Sequence, residues 1–254
     1  MLSTLRHGGP GAALPLVIAH GLFGSARNWG AIARALADRG PVLAVDMRNH
    51  GASPWHPDHG YADLAADLAE VVVAEGGQAD VLGHSMGGKA AMMLALTRPA
   101  LVRRLVVADI APVPYGHSQT ALIEAMRGLD LGRIASRGEA DRQLARRIED
   151  AGVRAFLLQS LDLKTDPPRW RLNLDALEAN MAQILGWPAT EARFEGPALF
   201  LAGAGSGYVR PEHRAAIRRL FPAARIARVP GAGHWLHADR PEAVAATIRA
   251  FLDA

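Results

Sequence analysis

Ser85 stands in Gly83-His84-Ser85-Met86-Gly87, directly after the apolar run Asp80-Val81-Leu82 and directly before Gly88-Lys89-Ala90-Ala91-Met92-Met93-Leu94. This order predicts a strand, a sharp turn and a helix, with serine at the apex. Such a turn forces the serine into a strained backbone conformation, and glycines two residues to either side remove side chains that would collide where strand and helix meet. A serine hydroxyl is a poor nucleophile until a base takes its proton. Among ten histidines the strongest candidate base is His234, in Val229-Pro230-Gly231-Ala232-Gly233-His234-Trp235. That loop follows the last predicted strand, and its small residues let the imidazole reach across the sheet edge. His237 is the weaker candidate. An oxyanion formed on attack needs preorganised N–H donors, each worth roughly a hundredfold or more in rate. The Met86 amide is one such donor, and the Leu22 amide in His20-Gly21-Leu22-Phe23-Gly24-Ser25 is the other.

The elements that must position these groups are legible as period. Leu14 to Ala19, Val42 to Val45, Asp80 to Leu82, Leu105 to Ala108, Ala198 to Leu201 and Arg225 to Val229 are continuous apolar runs, as expected of strands buried on both faces. Helix-period stretches lie between them: Trp29 to Asp38, Tyr61 to Glu75, Gly88 to Thr97, Pro211 to Leu220 and Pro241 to Leu252. The alternation predicts one α/β domain with a mostly parallel central sheet flanked by helices. It breaks between Ala111 and about Glu195, where Ser118 to Leu129, Glu139 to Leu161 and Leu174 to Leu185 read as helices and no strand is evident. An all-helical cap over residues 111–194 is expected above the strands' carboxyl ends, with the core formed by 1–110 and 195–254.

Composition narrows the classes. The 254 residues are half apolar and carry a formal charge of only +3, and the basic residues are almost all arginines scattered among acids, Lys89 and Lys164 being the only lysines. Nucleic-acid binding is not expected. There is no cysteine, which removes disulfides, thiolate metal sites and a cysteine nucleophile, and fits a reducing compartment. The amino terminus lacks the apolar core of a signal peptide, and no segment approaches the ~20 apolar residues of a membrane span. A soluble cytoplasmic protein is the expectation. His50, His56 and His59 lack carboxylates at metal-site spacing and read as surface histidines, so neither metal nor cofactor is expected.

With these parts in order, the chain resembles the α/β-hydrolase family over essentially its whole length. The resemblance rests on His20-Gly21 after an early strand, Asp46-Met47-Arg48-Asn49-His50-Gly51-Ala52-Ser53 after the next, the Gly83 to Gly88 elbow, and Gly231-Ala232-Gly233-His234. Asn49, where most relatives have glycine, makes it similar to the small bacterial YbfF-type esterases. Ala108-Asp109-Ile110-Ala111-Pro112, Arg169-Trp170-Arg171-Leu172-Asn173-Leu174 and Gly231 to His237 match that subgroup further. The α/β-hydrolase resemblance implies a cap inserted after the sixth strand.

The usual place of the family's catalytic acid, after the Ala198 to Leu201 strand, is empty: Gly203-Ala204-Gly205-Ser206-Gly207-Tyr208 holds no carboxylate. Asp109, at the end of the strand next to the nucleophile's, is the substitute, since neighbouring strands lie only about 4.8 Å apart. The subgroup resemblance implies the same placement. Ser206 is expected to add a hydrogen bond from the vacated position, and the rival Asp46 to shape its own loop. The expectation is therefore a serine carboxylesterase working through Ser85, His234 and Asp109 on a small-molecule acyl ester or thioester of short to medium chain. Phe23, Met86 and Trp235 should line its pocket, with Leu122, Met126, Leu157, Leu158, Leu161, Met181 and Leu185 as further candidates. An acyl-CoA thioesterase or carbon–carbon hydrolase on the same triad, and a non-catalytic ligand-binding member, are the alternatives.

Overall fold

The computed structural model describes every residue except Pro10, Ala12 and His117. Seven strands form one sheet: β1 (Thr4–His7), β2 (Leu16–Ala19), β3 (Val42–Val45), β4 (Ala79–His84), β5 (Val102–Ala108) and, late in the chain, Ala198–Gly203 and Ala224–Val229. The last two become β8 and β9, because a two-stranded ribbon, β6 (Leu161–Asp162) and β7 (Arg169–Trp170), intervenes. The order is β1-β3-β2-β4-β5-β8-β9, all parallel except β1, which runs antiparallel to β3. The strand β1 escapes a search for apolar runs because it is a short, largely exposed edge strand.

Side-chain alternation along these strands feeds two cores. Val17, Ala19, Val81 and Val107 face one side, where α2 (Tyr61–Ala74) and α3 (Met86–Thr97) pack, together with α9 (Arg214–Leu220). Leu16, Ile18, Leu82, Val106 and Leu199 face the other, covered by α1 (Gly30–Leu36) and α11 (Pro241–Asp253), with α10 (Leu236–Asp239) beside them. Both faces of the central strands are therefore apolar, which is why they read as continuous runs rather than alternating ones.

Residues 111–194 carry α4 (Thr120–Arg127), α5 (Arg137–Leu144), α6 (Ala151–Leu158), α7 (Leu174–Ala179) and α8 (Met181–Leu185), together with β6 and β7. Two expectations are corrected here. The segment is not all-helical, since Leu161 and Asp162 pair antiparallel with Trp170 and Arg169. It also enters after β5, the fifth strand in chain order rather than the sixth, because only β1 flanks the parallel strands on the amino-terminal side. The long helix expected from Glu139 to Leu161 is two helices. The second begins where the Asp150 carboxylate accepts the Val153 amide at 3.0 Å, a side-chain cap that satisfies a first-turn donor. No described helix is long and apolar enough to cross a membrane.

Candidate active site

Ser85 joins β4 to α3 with φ 52° and ψ −118°, a left-handed conformation that is costly for a residue with a Cβ. The surrounding glycines are required by contact rather than by flexibility. A Cβ on Gly83 would lie 2.1 Å from the Gly87 carbonyl oxygen, and one on Gly87 would lie 2.4 Å from that of His20. The turn is pinned by the Ser85 amide donating to Ala108 O at 3.0 Å.

Asp109 sits at the end of β5, fully buried, with φ 50°. Its Oδ2 accepts the Nδ1–H of His234 at 2.8 Å, and its Oδ1 accepts the Gly203 amide at 3.0 Å. The Ser206 hydroxyl also donates to Oδ2. The position where an acid was missing thus supplies a neutral donor to the carboxylate one strand away. Close approach is possible because β8 ends in glycine: a Cβ on Gly203 would meet the Gly233 carbonyl at 2.1 Å. The His234 ring is stacked by Tyr208 at 4.0 Å between centroids, and its backbone carbonyl accepts the Nε2–H of His84 at 2.9 Å. Neither Tyr208 nor His84 was among the residues singled out in the sequence. Both act through sheet-edge proximity that leaves no local spacing signal.

The His20–Ser25 turn passes against the elbow, and a Cβ on Gly21 would lie 3.1 Å from that of Ser85. Phe23 has φ 63° and donates its amide to His50 Nε2 at 3.1 Å, while the Gly24 amide donates to Gly21 O at 3.0 Å. Among the described residues the Leu22 amide has no acceptor. Met86 opens α3, where first-turn amides have no partner within the helix. Asp46, the rival acid, is spent on its own loop, accepting from the amides of Ala26 and Ala52 at 2.8 Å each.

The profile of the alpha/beta hydrolase family matches residues 16–247, most of the chain. The protein belongs to that family. Its relatives include the mouse sn-1-specific diacylglycerol lipase ABHD11, 44% identical over 252 residues covering 95% of this chain and 82% of that one. Esterase YbfF of Escherichia coli K12 is 37% identical, over 94% of this chain and 93% of its own. Among solved structures, a marine microorganism esterase superposes with a TM-score of 0.93 at 37% identity, covering 98% of both chains. The chain is a serine carboxylesterase of this family. Asn49 and the Arg169 to Leu174 stretch, which carried the subgroup resemblance, meet in space: the Asn173 amide donates to Asn49 O at 2.9 Å, and the Gly51 amide to Arg171 O at 2.8 Å.

In this α/β hydrolase Ser85 and His234 open on one cavity of ≈ 300 Å³, roofed by residues from 111–194. Phe23, Met86 and Trp235 line it, as expected. Of the further aliphatic candidates only Leu122 and Leu185 do. Met126, Leu157, Leu158, Leu161 and Met181 are instead buried in the packing of the segment itself. The Ser160 hydroxyl joins that segment to the His20–Ser25 turn by donating to Phe23 O at 3.0 Å.

The reading of His50 and His59 as surface histidines is overturned. Only His56 is exposed; the other two are buried and hydrogen-bonded. His20 Nδ1–H donates to Gly21 O and its Nε2 accepts the Met47 amide, while His50 Nδ1–H donates to Arg48 O. The His59 Nε2–H points at the Met86 sulfur at 3.2 Å. These imidazoles are parts of the scaffold that holds the His20–Ser25 turn and Met86.

Burial holds them neutral, lowering His20 to about 4, His50 to about 3 and His59 to about 2. His237 falls to about 4 and His84 well below 6.5 for the same reason. Below pH 6.5 the unfolded chain binds protons that the native core refuses, so stability present above 6.5 is lost as pH falls toward 4. Each such histidine contributes up to about 1.4 kcal/mol per pH unit in that window. The urea midpoint should fall steadily from about pH 7 to about pH 5. A midpoint flat over that range would show that the imidazoles are not held neutral.

Proposed function

We infer that Ser85, His234 and Asp109 form the triad of a two-step carboxylic-ester hydrolysis on short to medium acyl groups. The observation that carries this reading is the 2.8 Å hydrogen bond from His234 to the buried Asp109 carboxylate, beside a cavity shared with Ser85. His234 Nε2 takes the Ser85 proton as Oγ attacks the acyl carbonyl, and the protonated ring then delivers that proton to the departing alcohol. The imidazolium formed between these events is balanced by Asp109, whose remaining lone pairs are held by Gly203 and Ser206. The Leu22 and Met86 amides stabilise the oxyanion. Water, activated by the same histidine, releases the acid from Ser85.

Residues 111–194 act as the cap that shapes the acyl site. A volume of ≈ 300 Å³ lies at the small end of ligand pockets, which supports a short to medium acyl group. The test is covalent trapping. A p-nitrophenyl alkylphosphonate should phosphonylate the protein once per chain, at Ser85, with release of one nitrophenolate and complete loss of esterase turnover. An adduct on another residue, or full inhibition with Ser85 unmodified, overturns the assignment. p-Nitrophenyl esters and acyl-CoA thioesters of rising chain length, assayed side by side, decide between ester and thioester.

A further inference from the structure

Lys89 is the one buried ammonium among the described residues, 1% exposed, on the helix that Ser85 caps. It lies one turn after Ser85, so the two residues are displaced by about 6 Å along α3. Both line the same cavity. Its Nζ donates to Leu185 O at 3.0 Å and Gly186 O at 2.6 Å, at the end of α8, and it faces the rings of Tyr115 at 4.9 Å and Tyr61 at 5.6 Å. Among the described residues no carboxylate lies within ion-pair distance of it.

This is an unusual way to keep a cation. Two carbonyl dipoles and two ring faces offset part of its desolvation but none of its charge, and an ammonium has three protons to donate, of which two are taken. Burial accordingly draws Lys89 down to about 7, and an anion entering the cavity would favour the charged form. The mechanism has no task for it, because oxyanion stabilisation and proton transfer are served by other groups. Ile110, Leu122, Ile184 and Leu185 give the cavity an apolar wall, and Gln119 and the tyrosines are its other polar side chains beside Asn28 and the histidines. With both residues on one cavity, an acyl chain attached to Ser85 that follows α3 for one turn, about 6 Å, comes level with Lys89.

We propose that Lys89 is a carboxylate-binding group at the distal end of the acyl pocket, and that the preferred acyl donors are half-esters of dicarboxylic acids. This rests on the triad reading above and adds the substrate class. The bound carboxylate would accept the third Nζ–H and supply the counter-charge the protein omits, while the methylenes between the two ends fill the apolar wall.

The experiment compares matched pairs: the p-nitrophenyl monoesters of glutaric, adipic and pimelic acids against p-nitrophenyl valerate, hexanoate and heptanoate, at low and high salt. Wild type should favour at least one diacid monoester in kcat/KM by about tenfold or more, at high salt as well as low, since a buried pair is little screened. In Lys89→Met that ratio should fall by about 10- to 100-fold, mainly through KM, and Lys89→Arg should restore part of it. A ratio unchanged in Lys89→Met, or a wild-type preference for the neutral ester, overturns the proposal. If Lys89 merely ties α8 to α3, both members of each pair change together and the ratio stays put, which also overturns it. Failure of the triad reading looks different, because then neither ester of any pair is hydrolysed at Ser85.

Discussion

Ser85→Ala lowers kcat for ester hydrolysis by roughly 10³- to 10⁶-fold, the range seen when a nucleophile of this kind is removed and only binding and oxyanion stabilisation remain. The variant should fold as well as wild type. Alanine keeps the Cβ and hence the same left-handed strain at φ 52°, and it leaves the amide bond to Ala108 untouched. Its thermal midpoint should therefore lie within a degree or two of wild type, since a substitution that removes no core packing and no backbone bond changes stability by about ±0.5 kcal/mol. Loss of turnover with an unchanged midpoint assigns the effect to chemistry. Turnover within about tenfold of wild type would remove Ser85 from the mechanism.

Asp109→Asn is the second large effect, a fall in kcat of about 10³- to 10⁴-fold. Asparagine tolerates φ 50°, so the backbone at the end of β5 is not disturbed. What changes is the partner offered to His234 Nδ1: an amide that turns its NH₂ toward the ring holds the wrong tautomer, and one that turns its oxygen there cannot balance the imidazolium. Ser206→Ala should cost far less, no more than about tenfold, because Asp109 keeps the Gly203 amide and the histidine, and a single neutral hydrogen bond contributes about 1 kcal/mol. Measured on one ester at one pH, the ranking of the two variants decides which of the two positions holds the acid. A larger loss in Ser206→Ala would move the role away from β5.

The parts that could be read from sequence are those whose cause is local. Gly83 is dictated by the backbone of Gly87 and Gly88 just beyond Ser85, so the turn writes itself into the spacing, whereas Gly87 and Gly88 are legible only as parts of that spacing, since the Ala19 and His20 carbonyls and the Ile110 side chain are what crowd them. The parallel strands are continuous in apolarity because both faces are covered. What escaped detection comes from tertiary approach. The pairing of β6 with β7 is two residues long, too short to carry a period. His50 and His59 sit in a polar, proline-containing stretch that reads as surface, and only the fold shows them holding Phe23 and Met86 from beneath. Tyr208 follows a glycine-rich turn and gains its place over His234 through Tyr115, whose hydroxyl donates to Tyr208 O at 2.7 Å across 93 residues. Lys89 looks like one more residue on a helix until α8 closes on it.

The bond from Ser160 to the Phe23 carbonyl has a kinetic meaning. It ties the roof of the cavity to the very turn that presents the Leu22 amide, so the roof cannot lift at that point without loosening the turn. Removing that hydroxyl should therefore reach the donor turn as well as the roof, a loss in kcat caused by a residue that does not itself line the cavity.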